Sequence, residues 1–442
     1  MELVHHGALT GVTGSCHQLF ISPRTSILVD CGLFQGNDAK GRDPEEIDFP
    51  IDSISVLLLT HVHLDHVGRV PYLLAAGFNK PIYCSVPTAK LLPLVLEDAV
   101  RIGVTRNQKL IDRFMQELRR LVRPLKYHHW HDIGSKVKVR LSPAGHVLGS
   151  AVIEVDFNDQ RVVFSGDIGT RGQPLLIQPA SPERADILVL ESTYGNRLHE
   201  GRQQRVERLE AGLFHTLSNK GGAIIPAFCV GRRQGRLDAV NHFLDGVERQ
   251  TQCSMLKSVD IIIDSPLAQR FNELYDSLRS YWNDEAQDVL LYDDQPLIFE
   301  NLVNVESHAE HRDTIRYLQQ SKLPAIVIAA SGMCSGGRVV NYLKGFIQDP
   351  ASDIVFVGYQ AEGTPGRQIQ ESDWVMLDGQ RFEVNAAKHT LSGYSAHADQ
   401  SELIQFVTGM PNPPGAIRLV HGEEAAKNAL TFELQQRGFN VI

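Results

Sequence analysis

The sequence predicts an α/β chain in which one unit is inserted into another. Three observations point there. Short strand-like runs fill the first part and return near the end. Helices and strands alternate between about residues 200 and 375. A dense run of metal-ligating side chains follows a strand in the first part. The simplest partition is a first unit over residues 1–199, an insert over 200–375, and a return to the first unit over 376–442. A chain of 442 residues has room for two or three such units.

In chain order, residues 18–21 and 26–29 are apolar runs parted by the turn signal Ser22-Pro23-Arg24-Thr25. Residues 53–60, SISVLLLT, read as a buried strand. Residues 67–76 read as a helix stopped by Gly77, and 86–125 as a charged helical insertion. Strands are expected again at 136–141, 151–157, 161–165 and 186–191. In the insert, a helix is expected at 202–217 and strands at 222–228, 259–264, 325–331 and 353–359. That alternation predicts a mainly parallel sheet with flanking helices. The last part returns to strands at 381–385 and 416–421.

Composition narrows the class. Apolar residues make up 43% and charged residues 21%, ordinary for a chain with a real core. The net charge of −9 argues against nonspecific coating of nucleic acid but leaves room for a local basic surface. Cys16, Cys31, Cys84, Cys229, Cys253 and Cys334 form no CxxC pair and read as reduced thiols of a cytoplasmic protein. No signal segment and no apolar run long enough to span a bilayer is found, so no membrane association is expected.

The strongest chemical signal is Thr60-His61-Val62-His63-Leu64-Asp65-His66. In an extended segment His61 and His63 share one side. Asp65 and His66 follow where the chain turns into a helix, so they can serve a second point nearby. Imidazole and carboxylate donors suit zinc, with manganese or iron as alternatives. Further candidate ligands are His146, in a glycine-flanked turn, and Asp167 and His421, each at a strand end.

With Asp30 in Val29-Asp30-Cys31-Gly32, the HxHxDH run, His146 and Asp167 in this order, the sequence resembles the metallo-β-lactamase superfamily. Glu191 in Glu191-Ser192-Thr193-Tyr194-Gly195, His397 in Ser395-Ala396-His397-Ala398-Asp399, and His421 resemble three further motifs of its β-CASP branch of nucleases. The resemblance implies an αββα sandwich with an inserted β-CASP α/β domain. It implies one zinc ion held by His61, His63 and His146, a second held by Asp65, His66 and His421, and Asp167 bridging them. Asp30 would orient a ligand. The implied activity is a ribonuclease in which a two-metal-activated hydroxide attacks phosphorus. His397 would protonate the leaving oxygen and Glu191 would hold it protonated. A capping box, Asp399 to Glu402, accounts for Asp399 but not for the histidine before it.

Three glycine-rich strand exits in the insert are candidate RNA contacts. Ser331, Gly332, Gly336, Gly337 and Arg338 form one, Thr364 and Arg367 belong to the second, and Arg232 to the third. Backbone N–H groups at such exits can approach a phosphate, and the arginines could supply the basic groove that the net charge hides. Single-stranded RNA is the expected partner, and a homodimer is an open option. A small-molecule thioester or lactam hydrolase would need the HxHxDH run but leaves Glu191 and His397 unexplained. An inactive scaffold would have lost ligands. A DNA-directed nuclease is disfavoured because such members usually lack the third-motif histidine. The early start of the strand pattern and the 21 residues after His421 predict neither an N-terminal KH extension nor an added C-terminal domain.

Overall fold

The computed structural model describes residues 2–43, 46–173, 175–226, 259–265, 268–292, 302–391 and 395–442. The chain divides into two compact units, Met1–Leu198 with Ala396–Ile442, and His199–Ser395.

Among the described residues the first unit holds two six-stranded sheets. One consists of β1 (Glu2–Gly7), β2 (Cys16–Ser22), β3 (Thr25–Val29), β4 (Ile54–Leu58), β5 (Ile82–Ser85) and β6 (Val122–Leu125), paired in sequence order. The other consists of β7 (Trp130–Asp132), β8 (Lys138–Pro143), β9 (Ala151–Phe157), β10 (Gln160–Phe164), β11 (Ile187–Glu191) and a strand from the C-terminal part, Ala416–Val420. Strand residues alternate between faces, so one side of each sheet can join a shared core. Leu19, Ile27, Val29, Val56 and Leu58 meet Val139, Leu141, Ile153, Val162 and Val189 there.

Helices cover both outer faces. The helix Val86–Gly103 starts where Ser85 accepts the N–H of Thr88. The helix Gln108–Leu121 buries Ile111, Met115, Leu118 and Leu121, a helical stripe. Two corrections apply to the sequence reading. Residues 122–125 are edge strand rather than helix, in keeping with Pro124, which cannot continue a helix. The helix expected over 67–76 is split into Leu64–Val67 and Val70–Ala75, with Pro71 in the first turn of the second.

The second unit has a sheet in the order β14-β13-β15-β12-β16-β19. Its strands are β12 (Gly222–Pro226), β13 (Asp260–Asp264), β14 (Leu302–Val305), β15 (Ala325–Ala329), β16 (Asp353–Phe356) and β19 (Ala387–Thr390), all parallel. A hairpin, β17 (Trp374–Leu377) and β18 (Gln380–Glu383), lies outside that sheet. The division returns to the first unit at Ala396, about twenty residues past the expected 376. The reason is local: β19 extends the parallel sheet beside β16, and Val375, Leu377 and Val384 enter its core.

Candidate metal centre

Strand direction puts the chemistry at one edge of the first unit. β10, β11 and Ala416–Val420 are adjacent and parallel, so their C-terminal ends emerge together. Asp167, Glu191 and His421 sit at or just past those ends. β4 delivers His61–His66 from the facing sheet, and the β8–β9 turn delivers His146. Asp30 and His421 have φ of +60° and +53°. Non-glycine residues rarely hold such left-handed backbone, and such strain concentrates at functional sites. Gly166 is at φ +54°, and a Cβ there would lie 2.7 Å from the Thr60 Cβ, so the turn into Asp167 requires glycine.

The side chains fall into two sets that share one carboxylate. His61 Nε2, His63 Nδ1 and His146 Nε2 converge, at 3.0 Å from His61 to His63 and 3.1 Å from His146 to His63. Asp167 Oδ2 lies 3.5 Å from His61 Nε2 and 3.3 Å from His146 Nε2. The other oxygen, Asp167 Oδ1, lies 3.2 Å from His66 Nε2 and 3.6 Å from His421 Nε2. Asp65 Oδ2 is 3.5 Å from His421 Nε2. Donor atoms of His61, His63, His146 and Asp167 all lie within 4.8 Å of one another, as do those of Asp65, His66 and His421. Ligand–metal bonds of about 2.0–2.1 Å in tetrahedral geometry separate ligand atoms by about 3.3 Å. The observed spacings bracket that value.

Hydrogen bonds on the far side of each ring fix which nitrogen carries a proton. Thr60 Oγ1 donates to Asp30 Oδ2 at 2.7 Å, so it accepts from His61 Nδ1 at 3.1 Å. His66 Nδ1 donates to Asp30 Oδ2 at 2.7 Å. His146 Nδ1 donates to the Ala396 carbonyl at 3.1 Å. Thr193 Oγ1 donates to Glu191 Oε2 at 2.6 Å and accepts from His421 Nδ1 at 3.0 Å. Each of these four rings, when neutral, turns a lone pair inward. His66 Nε2, Asp167 Oδ1 and His421 Nε2 are buried without a hydrogen-bond partner. Buried polar atoms are rarely left so, and converging lone pairs with no donor between them fit a cation.

Electrostatics agrees. Burial penalises a charged His66, yet Asp167 and Asp30 outweigh it and raise its pKa well above the usual value. Burial would lift the Asp167 carboxyl, but His421, His66, His397 and His61 hold it well below the usual range. The carboxylates thus favour positive charge at His66, whereas burial, with His66 beside it, pushes the His61 ring well below its usual value.

His397 stands beside the two sets, 3% exposed. Its Nδ1 lies 3.1 Å from Glu191 Oε2 and 3.9 Å from Asp167 Oδ2. Glu191 Oε1 also accepts the N–H of Ile168 at 2.6 Å. Asp399, two residues on, is the N-cap of the helix Gln400–Thr408 and forms a capping box with Glu402, as its spacing suggests.

In the second unit two of the three glycine-rich exits lie together. Gln360 Nε2 donates to the Gly332 carbonyl at 2.9 Å, and a Cβ on Gly366 would meet Gln360 Oε1 at 1.8 Å. Gly336 and Gly337 lie in the turn that opens the helix Arg338–Phe346, and Ser331 N donates to the Gly336 carbonyl. Thr364 caps the helix Pro365–Glu371. The arginines have partners within their own unit. Arg338 is bound to Asp264 and to the Val305 and Glu306 carbonyls, and Arg367 to Glu371 at 2.5 Å. Arg338 is thus engaged by a buried strand-end carboxylate of its own unit, whereas Arg367 makes an i,i+4 pair with an exposed glutamate of its own helix. Arg232 lies outside the described residues.

Sequence reading passed over Thr60, Thr193 and the Ala396 carbonyl, which orient His61, His421 and His146. The two threonines stand in the quoted motifs, so a hydroxyl next to a ligand was the available signal. The carbonyl carried none.

Family models match along the chain. One for the metallo-beta-lactamase superfamily covers residues 11–210, one for the Beta-Casp domain covers 240–369, and one for a Zn-dependent metallo-hydrolase RNA specificity domain covers 381–442. Among similar proteins, Ribonuclease TTHA0252 of Thermus thermophilus is 36% identical across 100% of this chain and 97% of its own length. Transcription termination factor FttA of Methanosarcina mazei is 30% identical across 95% of this chain and 66% of its own length. An RNase J-like protein of Methanocaldococcus jannaschii is 29% identical across 95% of this chain and 92% of its own length.

Proposed function

The chain belongs to the β-CASP branch of the metallo-β-lactamase superfamily, and from that premise we propose that it is a zinc-dependent ribonuclease hydrolysing phosphodiester bonds of single-stranded RNA. The observation that carries the reading is the pair of inward-facing ligand sets joined through the two oxygens of Asp167. His61, His63, His146 and Asp167 would hold one zinc ion; Asp65, His66, His421 and Asp167 would hold the other. When bound, two divalent ions lower the pKa of a water and offset charge developing on the phosphoryl oxygens.

The chain's own groups do the rest. Asp30, Thr60, Thr193 and the Ala396 carbonyl fix ring direction and tautomer, so the donor atoms need no rearrangement. His397 keeps its Nδ1 on Glu191, which fixes the direction of the ring. From there it gives a proton to the departing 3′ oxygen. Glu191, anchored by Ile168 N–H and Thr193 Oγ1, acts as a positioning residue.

Among the described residues no helix is long and apolar enough to cross a membrane. Among the described residues Cys16, Cys31, Cys84 and Cys334 are free buried thiols.

The test is turnover of labelled RNA by the purified protein, with chelation and zinc re-addition. Cleavage that stops with the chelator and returns with zinc supports the reading. Turnover of a thioester with intact RNA would replace it with a small-molecule hydrolase.

A further inference from the structure

The two sheets of the first unit end side by side in sequence, β6 at the edge of one and β7 at the edge of the other. Between Arg119 and Arg140, seven Lys and Arg residues stand against one acid, Asp132, in a chain of net charge −9. Arg119, Arg123, Lys126, Lys136 and Lys138 are all exposed, and none of them forms an ion pair among the described residues. Midway along this stretch of sequence stands Trp130, 36% exposed, with His128 and His129 exposed just before it.

Trp130 is held rather than loose. The guanidiniums of Arg140 and Arg161 lie 4.8 and 4.7 Å from its ring centroid. Both hydrogen-bond the buried Glu154, so the ring rests on a fixed polar cluster.

This strip leads toward the metal edge. Trp130 pairs with Arg140 on β8, and β8 runs from there to Pro143, about 10 Å at the strand rise. Tyr127 Oη donates to the Ser150 carbonyl at 3.2 Å, and Ser150 Oγ accepts the N–H of His146 at 3.0 Å. Lysines on an edge strand often only discourage edge-to-edge pairing. That purpose suits a cation such as Arg123 on the edge strand β6, but Lys136 lies in the β7–β8 turn and Lys138 on the inner strand β8, and an exposed tryptophan on the edge works against it.

We propose that the strip docks a single-stranded stretch of RNA lying outside the metal cluster. Trp130 stacks a base, and Arg123, Lys126 and Lys136 hold neighbouring phosphates. Exposed cations with an accessible aromatic ring are the chemistry of single-strand binding without sequence preference. The inference deepens the ribonuclease reading and rests on it for the identity of the polymer.

The test compares wild type with the triple charge reversal Arg123→Glu, Lys126→Glu and Lys136→Glu. Binding of a long single-stranded RNA and of a tetranucleotide is read by fluorescence anisotropy at several salt concentrations. The variant should bind the long RNA on the order of tenfold more weakly, with a salt slope shallower by about 2, and the tetranucleotide as before. Long RNA should also quench tryptophan emission in wild type, and Trp130→Phe should remove that component. Unchanged affinity and slope in the triple variant, or quenching that survives Trp130→Phe, overturns the proposal. Because binding is the readout, a wild type that binds long RNA through the strip but never cleaves it would sink the nuclease reading and leave the strip standing.

Discussion

Each unit buries a carboxylate among histidine and other polar side chains, and the two clusters end in opposite states. In the second unit Asp264 is fully buried. Its Oδ2 accepts from His311 Nδ1 at 2.5 Å and Tyr342 Oη at 2.6 Å, and its Oδ1 from Arg338. Asn341 Nδ2 then closes on His311 Nε2 at 2.9 Å. In the first unit the outward faces of His61, His66, His146 and His421 are satisfied as fully, but the inward atoms of His66, His421 and Asp167 are not. A buried histidine–carboxylate cluster is therefore not in itself a site. The informative feature is the set of polar atoms the protein could have paired and did not.

The largest effect that sharpens this contrast belongs to His397. His397→Ala should lower kcat on RNA by about 10²–10⁴-fold, the range for losing a general acid, with bound zinc unchanged by elemental analysis. Near wild-type turnover would remove His397 from the chemistry.

Asp264→Ala should do the reverse. It strands His311 and Arg338 without their acceptor and should cost about 3–5 kcal/mol in chemical denaturation while zinc content holds. Loss of zinc without loss of stability would break the division of labour drawn here.

Asp30→Ala leaves every ligand in place but frees His66 and Thr60. Zinc affinity by chelator competition should fall about 10–100-fold.

Acid separates the two clusters further. Burial would raise the Asp264 carboxyl, but the bonds from His311, Tyr342 and Arg338 hold it below its ordinary 3.8. Its folded pKa is thus depressed, so its contribution is complete above the unfolded value and fades as pH falls through the folded one. Melting of the wild type between pH 5 and 2 should steepen below about pH 4, and Asp264→Asn should flatten that limb. An identical acid limb in both proteins would show that Asp264 does not carry it.

The smallest effect concerns the helix that carries His311. Ser307 caps His308–Ser321 in a box with Glu310, and Ser307→Ala should cost about 1 kcal/mol. A cost several times larger would mean that the cap also holds His311 against Asp264.

Much of this was legible in the sequence because it is local. The HxHxDH run needs only a strand and the turn after it, so six positions announce a ligand cluster. The Asp399–Glu402 box is read from its spacing and found as read. The strand expected at 151–157 lies at Ala151–Phe157. Edge elements were harder: β7 has three residues, too few to show a period, and 122–125 follows a helix without a break in polarity. The contacts of Arg338 were out of reach of the sequence for a related reason. Arg338 stands next to glycines in the sequence, and only the fold brings Asp264, 74 residues away, onto its guanidinium.

Thus the sequence by itself determined the kinds of donor atom present, their local order, and the alternation that separates a sandwich from an inserted parallel sheet. Side-chain chemistry and backbone period are properties of neighbouring residues. The tertiary structure alone decided which donors share a point, which nitrogen of each ring faces it, and which charged groups are spent on the scaffold. Those depend on atoms brought together over long sequence separations, as His146 is to Ala396 across 250 residues. Only packing sets such distances, and hydrogen bonds and metal sites form or fail within a few tenths of an ångström.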